Sequence, residues 1–171
     1  MIRAFISIDI PENAKLEIKK IQEKLPQFFG KKIDLDNLHL TLKFLGEIDE
    51  KTLDEVKKRL EKIDFSKFNI KLGELGVFSP KFIKIIWIKL NGADRLQKQI
   101  DEELDGLFKK EKRFMSHLTI GRVKKVNTKR FLEDLKKISV PDIGFTAESF
   151  ELKKSILNSV GPHYETLEKY N

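Results

Sequence analysis

Residues 2–9 alternate, with Ile2, Ala4, Ile6 and Ile8 on one face and Arg3, Phe5, Ser7 and Asp9 on the other, the period-2 pattern of a half-buried strand. Pro11 follows, where a missing N–H costs a helix nothing. Leu16, Ile21 and Leu25 then recur at helical spacing until Pro26 stops the run. After a loop the pattern predicts a strand over 38–46, a helix over 50–63 striped by Leu53, Val56, Leu60 and Ile63, and a strand over 68–77. The order then starts again. A strongly apolar strand over 82–90, a turn at Asn91-Gly92, and a helix over 93–110 with Leu96, Ile100, Leu104 and Leu107 on one side lead to a strand over 114–123. A helix over 128–138, a strand over 145–153 and a hairpin over 155–164 with its turn near Gly161-Pro162 complete the chain.

Each half therefore reads β-α-β-α-β, one supersecondary unit used twice. The expectation is a single α+β domain spanning 1–171, bilobed, with lobes of roughly 1–80 and 81–171 and the C-terminal hairpin packing back. A chain of 171 residues with 40% hydrophobic content can bury a real core. No apolar run approaches the roughly 20 residues that a membrane span needs, and the N-terminal stretch lacks the features of a signal peptide. With no cysteine, disulfides, thiolate catalysis and cysteine-ligated zinc are excluded and a cytoplasmic location is expected. The net charge of +7 suits an anionic partner such as RNA. A Lys/Glu-rich surface of the kind found in thermophile proteins accounts for the charge nearly as well.

Two of the three histidines share one context: His39-Leu40-Thr41-Leu42 and His117-Leu118-Thr119-Ile120. Alternation sets each imidazole beside a threonine hydroxyl on one face, with the apolar partners on the other. Imidazole titrates near pH 6.5, so of two neighbouring copies one can be neutral while the other is protonated. Such a pair can take a proton from a nucleophile and give another to a leaving oxygen. The hydroxyls would hold phosphoryl oxygens as their charge grows. One strand histidine is commonly a side chain satisfied by a neighbour; two in matched contexts at the same place in two repeats point to a site. Packing about a pseudo-twofold axis would bring His39 and His117 across one cleft. Metal ligation would need further carboxylate ligands, and no His-Glu-x-x-His spacing occurs, so neither metal nor cofactor is expected.

The segments His-Leu-Thr-Leu-Lys-Phe-Leu-Gly at 39–46, Phe-Met-Ser-His-Leu-Thr-Ile-Gly-Arg at 114–122, Arg-Ala-Phe-Ile-Ser-Ile-Asp near the N-terminus and Ser-Ile-Leu…Gly-Pro-x-Tyr at 155–164 resemble the two-histidine (2H) phosphoesterases. Within these, the chain is most similar to the RNA 2′,3′-cyclic phosphodiesterases, also called 2′-5′ RNA ligases. The resemblance implies two antiparallel sheets forming a central cleft with helices outside. It implies metal-free opening of a terminal 2′,3′-cyclic phosphate to a 2′-phosphate. His39 would be the proton donor and His117 the proton acceptor, and an RNA 5′-hydroxyl replacing water would give a 2′-5′ linkage. The implied partner is RNA ending in a 2′,3′-cyclic phosphate, such as a tRNA-like fragment, and the enzyme would act as a monomer. Two rivals remain: a 2H phosphodiesterase for small nucleotides, and a non-catalytic RNA- or nucleotide-binding module.

Several neighbours are candidate substrate contacts. Strict alternation from His117 points Arg122 to the wrong face, but Gly121 offers a bulge that turns it back, and arginine is a good bidentate phosphate clamp. Lys43 has the parity of His39 and Thr41 and is expected to line their face. Phe5, on the polar side of its strand, would either stack on a terminal base or join the core. Tyr164, with His163, is a further candidate contact near the terminal turn. Lys109, Lys110, Lys112, Arg113, Lys124 and Lys125 flank the second motif, as an RNA-binding rim or as solvated charges.

Overall fold

The alternating segments pair into two antiparallel sheets whose strands come from both halves of the chain. The computed structural model describes residues 1–159 and 161–171. Among these, nine strands and four α-helices follow in the order β1 (Ile2–Asp9), α1 (Glu12–Lys24), β2 (Phe29–Lys32), β3 (His39–Ile48), α2 (Glu50–Leu60), β4 (Phe68–Val77), β5 (Ile85–Asn91), α3 (Asp94–Glu103), β6 (His117–Lys125), α4 (Thr128–Leu135), β7 (Gly144–Ala147), β8 (Phe150–Asn158) and β9 (Gly161–Tyr170). Sheet A has the strand order β3-β1-β8-β9 and sheet B the order β2-β6-β5-β4-β7. The sheets interleave in sequence. Strands β2 and β4, from the first half, lie in sheet B, while β8, from the second, pairs back onto β1 in sheet A and carries β9 on its other edge. One cluster of buried apolar side chains, including Ile6, Leu40, Leu118 and Ile120, runs through both sheets.

The helices start where the chain supplies stops and caps. Pro11 occupies the cap position of α1, the Asp49 carboxylate accepts from Thr52 N at 2.7 Å to open α2, and Asn127 Oδ1 accepts from Arg130 N at 3.3 Å to open α4. No helix is long and apolar enough to cross a membrane among the described residues.

Four sequence expectations are corrected. Residues 29–32, expected in a loop, form the edge strand β2. Their charged and glycine-containing composition hides the pairing with β6. The helix expected over 93–110 ends at Glu103; Gly106 follows at φ 80, a left-handed turn that glycine permits. The strand expected over 145–153 is two strands, with β7 pairing to β4 and β8 to β1, so the chain steps from one sheet to the other after Ala147. In the terminal hairpin, Asn158 pairs with Gly161 and Leu157 with Pro162, so Gly161-Pro162 begins β9. Val160 lies outside the described residues.

The expected turn at Asn91-Gly92 is present, and its glycine is required. Gly92 has φ 123, and a Cβ there would lie 2.4 Å from the Asn69 carbonyl oxygen. Gly92→Ala therefore combines strained backbone with a clash against immovable main chain. It is expected to destabilise by about 2 kcal/mol or more, read as a lower urea midpoint at unchanged slope.

Candidate active site

Each histidine opens its strand and is held in the same way. His39 Nδ1 lies 2.8 Å from Asn37 O, and His117 Nδ1 lies 2.8 Å from Met115 O. A carbonyl can only accept, so each Nδ1 carries the proton and each Nε2 is left as the free ring nitrogen. Strands β3 and β6 meet across the two sheets, and Arg122, just beyond the second motif, is near enough to His39 to act on its charge. Thr41 and Thr119, two residues on, share the faces of their histidines and are half-buried.

A β-bulge follows each motif and exchanges the faces of the strand beyond it. In the pairing of β3 with β1, Thr41 faces Ser7 and Lys43 faces Ile6, so Leu42 is the extra residue. In the pairing of β6 with β5, Thr119 faces Trp87 and Gly121 faces Ile86, so Ile120 is the extra residue. The consequences are parallel. Arg122 pairs with Ile85 and returns to the face of His117 and Thr119, as the glycine-bulge argument anticipates, with the bulge one residue earlier. At the matching place in β3, Phe44 pairs with Phe5 and joins the face of His39 and Thr41.

Lys43 is correspondingly sent away from the cleft, which corrects the expectation that it lines the face of His39. It is 3% exposed. Its ammonium donates to Asp101 Oδ1 at 2.5 Å and to Lys109 O at 2.8 Å, while Asp101 Oδ2 accepts from Gln97 Nε2 and from Glu111 N, both at 2.8 Å. Burial pushes the Asp101 carboxyl up, but the bonds from Lys43, Glu111 N and Gln97 outweigh it and hold the group below the usual carboxylate range. This buried network ties the first-motif strand to α3 and to the segment leading into His117. The converse brace comes from α1, where buried Gln22 donates through Nε2 to Ile120 O, the carbonyl of the bulge in β6, and to Ile33 O, both at 2.9 Å. Each helix that precedes one motif thus steadies the bulge of the other.

Of the two expectations for Phe5, burial is the one met, and display to a base is corrected. Phe5 shares the cleft-side face, yet it is 3% exposed, packed 5.0 Å from the His39 ring and 5.2 Å from Tyr164. It backs the histidine and is not displayed to a base; the exposed aromatic ring on that face is Phe44, at 69%. Tyr164 stands edge-on to His39 at 4.8 Å. His163, the residue before it, pairs with Ile156 and is exposed. Two features carry no obvious sequence signal: Phe78, edge-on to His117 at 4.9 Å, and a charged chain beside His39. In that chain Lys153 reaches Asp9 at 2.5 Å and Glu151 at 3.3 Å, and Glu151 accepts from Thr166 at 2.6 Å.

Burial pushes the His39 pKa down, to about 4, against the Asn37 carbonyl bond that raises it. Lys153 and Arg122 add positive charge that lowers it and Asp9 partly offsets them. Free of ligand, His39 is neutral at pH 7.

Two imidazoles with free Nε2 atoms, threonine hydroxyls beside them and an arginine on the same cleft define a two-histidine phosphoesterase arrangement. The chain matches the model of the LigT like Phosphoesterase family over residues 8–87 and 90–164, and it belongs to that family. It is 41% identical over 99% of its length, and all of the relative's, to an RNA 2′,3′-cyclic phosphodiesterase of Methanocaldococcus jannaschii. A Thermotoga maritima protein of the same name is 34% identical, covering 97% of this chain and 93% of that one. Among solved structures, a Thermus thermophilus protein superposes with TM-score 0.80 at 26% identity over 98% of this chain and 96% of that one. Escherichia coli LigT, complexed with 3′-AMP, superposes with TM-score 0.77 at 22% identity over 99% and 96% of the two chains.

The buried pair gives a stability prediction. Lys43→Met leaves Asp101 ionised in the core and is expected to cost about 3–5 kcal/mol, whereas Lys43→Met with Asp101→Leu recovers most of it. Because the Asp101 carboxyl is depressed, its contribution is present above the unfolded carboxylate pKa and lost as pH falls through the folded value. Urea denaturation near pH 7 and in acid checks both, and equal stabilities of the single and double variants would refute the account.

Proposed function

We propose that this protein is an RNA 2′,3′-cyclic phosphodiesterase that opens a terminal cyclic phosphate to a 2′-phosphate, with His39 as proton donor and His117 as proton acceptor. The observation that carries the reading is the pair of motif histidines with identically locked Nδ1 atoms on strands that meet across the cleft. Relatives of that name over nearly the full chain support it. Both half-sites come from one chain, which fits a monomer, and the absence of cysteine fits the cytoplasm.

The chemistry follows from the free nitrogens. His117 Nε2 takes a proton from water as its oxygen attacks phosphorus. The bond from phosphorus to O3′ breaks, and His39 Nε2 gives its proton to O3′, leaving a 3′-hydroxyl and a 2′-phosphate. The histidines end with exchanged protonation states and reset through solvent. Thr41, Thr119 and Arg122 hold the phosphoryl oxygens as negative charge grows. Phe44 offers a face to the terminal base, and Phe5 and Tyr164 fix the His39 ring. An RNA 5′-hydroxyl in place of water carries the same steps to a 2′-5′ linkage.

A donor must be protonated, and His39 is neutral when free. The anionic phosphodiester supplies the missing charge: held between the motifs, it favours the imidazolium and raises the His39 pKa. Substrate thus arms its own acid.

The test is an RNA oligomer ending in a 2′,3′-cyclic phosphate, with EDTA present, identifying the phosphate isomer formed. His39→Ala and His117→Ala are each expected to lose about 10²–10⁴-fold in rate. In His117→Ala the residual kcat/KM reports His39 alone, and a single limb falling with rising pH from about 4 identifies it as the donor. A limb rising with pH would reverse the two roles. Turnover abolished by EDTA and restored by zinc would overturn the mechanism.

A further inference from the structure

The active-site face of sheet B continues outward along its edge strand. Lys31 of β2 is the cross-strand partner of Arg122, so both side chains leave the same face. Alternation along β2 puts Phe29 on that face too. Phe28 turns the other way, its ring packed edge-on against Phe131 of α4 at 6.1 Å. Opposite Phe29 the register slips, with Phe29 facing Lys125 and Gly30 facing Val123, so Lys124 is an extra residue in β6. Its ammonium stands 5.8 Å from the centre of the Phe29 ring. Phe29 is 68% exposed.

Past Phe29 a cavity of about 630 Å³ opens between the end of α1 and the start of α4, lined in part by Phe29, Lys24, Lys125 and Arg130. Lys31 is paired with Asp34 at 3.0 Å and Arg130 with Asp134 at 3.9 Å. Lys24, Lys124 and Lys125 are exposed. An aromatic ring set among cations on an edge strand discourages pairing with another strand. It is also the combination that binds single-stranded nucleic acid, with bases on the ring and phosphates on the ammonium groups.

We propose that the face running from Arg122 through Lys31 to Phe29 and the adjoining cavity is a binding track for the single-stranded RNA body behind the reacting end. Phe29 stacks a base, and Lys124, Lys125 and Lys24 take backbone phosphates. Three strand residues separate Arg122 from Lys125, about 10 Å, which a short single-stranded segment spans. The track rests on the phosphodiesterase reading for what occupies Arg122. It makes polymeric RNA, and not a mononucleotide, the preferred substrate.

The experiment compares wild type, Phe29→Ala, Lys125→Ala and, as a charge control on α3, Lys98→Ala. Anisotropy reads binding of a labelled single-stranded oligomer of about ten nucleotides ending in an unreactive phosphate. Turnover is then measured on the same oligomer with a cyclic-phosphate end and on a 2′,3′-cyclic mononucleotide. Phe29→Ala is expected to weaken oligomer binding and oligomer kcat/KM roughly tenfold with mononucleotide kcat/KM unchanged. Lys125→Ala should lower the salt slope of oligomer binding by about 0.7, and Lys98→Ala should alter neither. Equal loss on both substrates, or unchanged oligomer binding by Phe29→Ala, overturns the track. Absence of all turnover would sink the phosphodiesterase reading, while anisotropy still decides the track. A dimer lost in Phe29→Ala with RNA affinity intact would assign the patch to a second copy and overturn the proposal.

Discussion

A strand has two faces, and one inserted residue exchanges them; the site of this protein depends on two such insertions. Without the extra Leu42 and Ile120, Arg122 would point into the helix-covered layer and Lys43 into the cleft. With them, one cation joins the histidines and the other leaves water altogether. A bulge disrupts its ladder and needs outside support. The protein supplies that support with buried polar side chains, Gln22 on the carbonyl of Ile120 and the Asp101 network on Lys43. Beyond the bulges Leu45 and Val123 are buried, so apolar packing also favours the bulged register. A carbonyl that must meet Gln22, or an ammonium that must meet Asp101, tolerates only one.

This arrangement separates the two kinds of buried charge in the molecule. The Lys43–Asp101 pair is inert because both partners are fully occupied. The His39 imidazole, packed against Phe5 and Tyr164, has no such built-in anionic partner on its ring, and burial disfavours its charge. The difference lies in whether a compensating group is built in or brought by the ligand.

Much of this is legible in the sequence, and the misses have identifiable physical causes. The His-x-Thr-x tetrads, the strand at Phe68–Val77 and the turn at Asn91-Gly92 follow from local periodicity and glycine chemistry, and they stand as read. Parity counting misplaces Lys43 because it assumes no insertion, and the bulge sits at Leu42, an apolar residue with no signature. Arg122 was placed on the right face because Gly121 advertises an irregularity. Phe5 was read as display or core, and it is buried against the very histidine it accompanies, which needs knowledge of β9 and Tyr164. Gln22 and Asp101 did leave a mark. Each is a polar residue within the apolar stripe of its helix, near Ile18 and Ile21 or Ile100, and such a residue asks for a buried partner. Strand partnership is non-local, so the break between β7 and β8 left no trace.

The interleaving of the sheets has a temporal side. Strand β1 lies between β3 and β8, and β8 is also the partner of β9. When the chain emerges from synthesis, β1 and β3 can pair early, but the other edge of β1 stays open until almost the whole polypeptide is available. The late hairpin also carries Lys153 and Tyr164 to His39. A nascent chain therefore has both motif histidines before it has the surroundings that tune the first, and those surroundings arrive with the closing strands, after a long stretch in which an unpaired apolar edge must be kept from other chains.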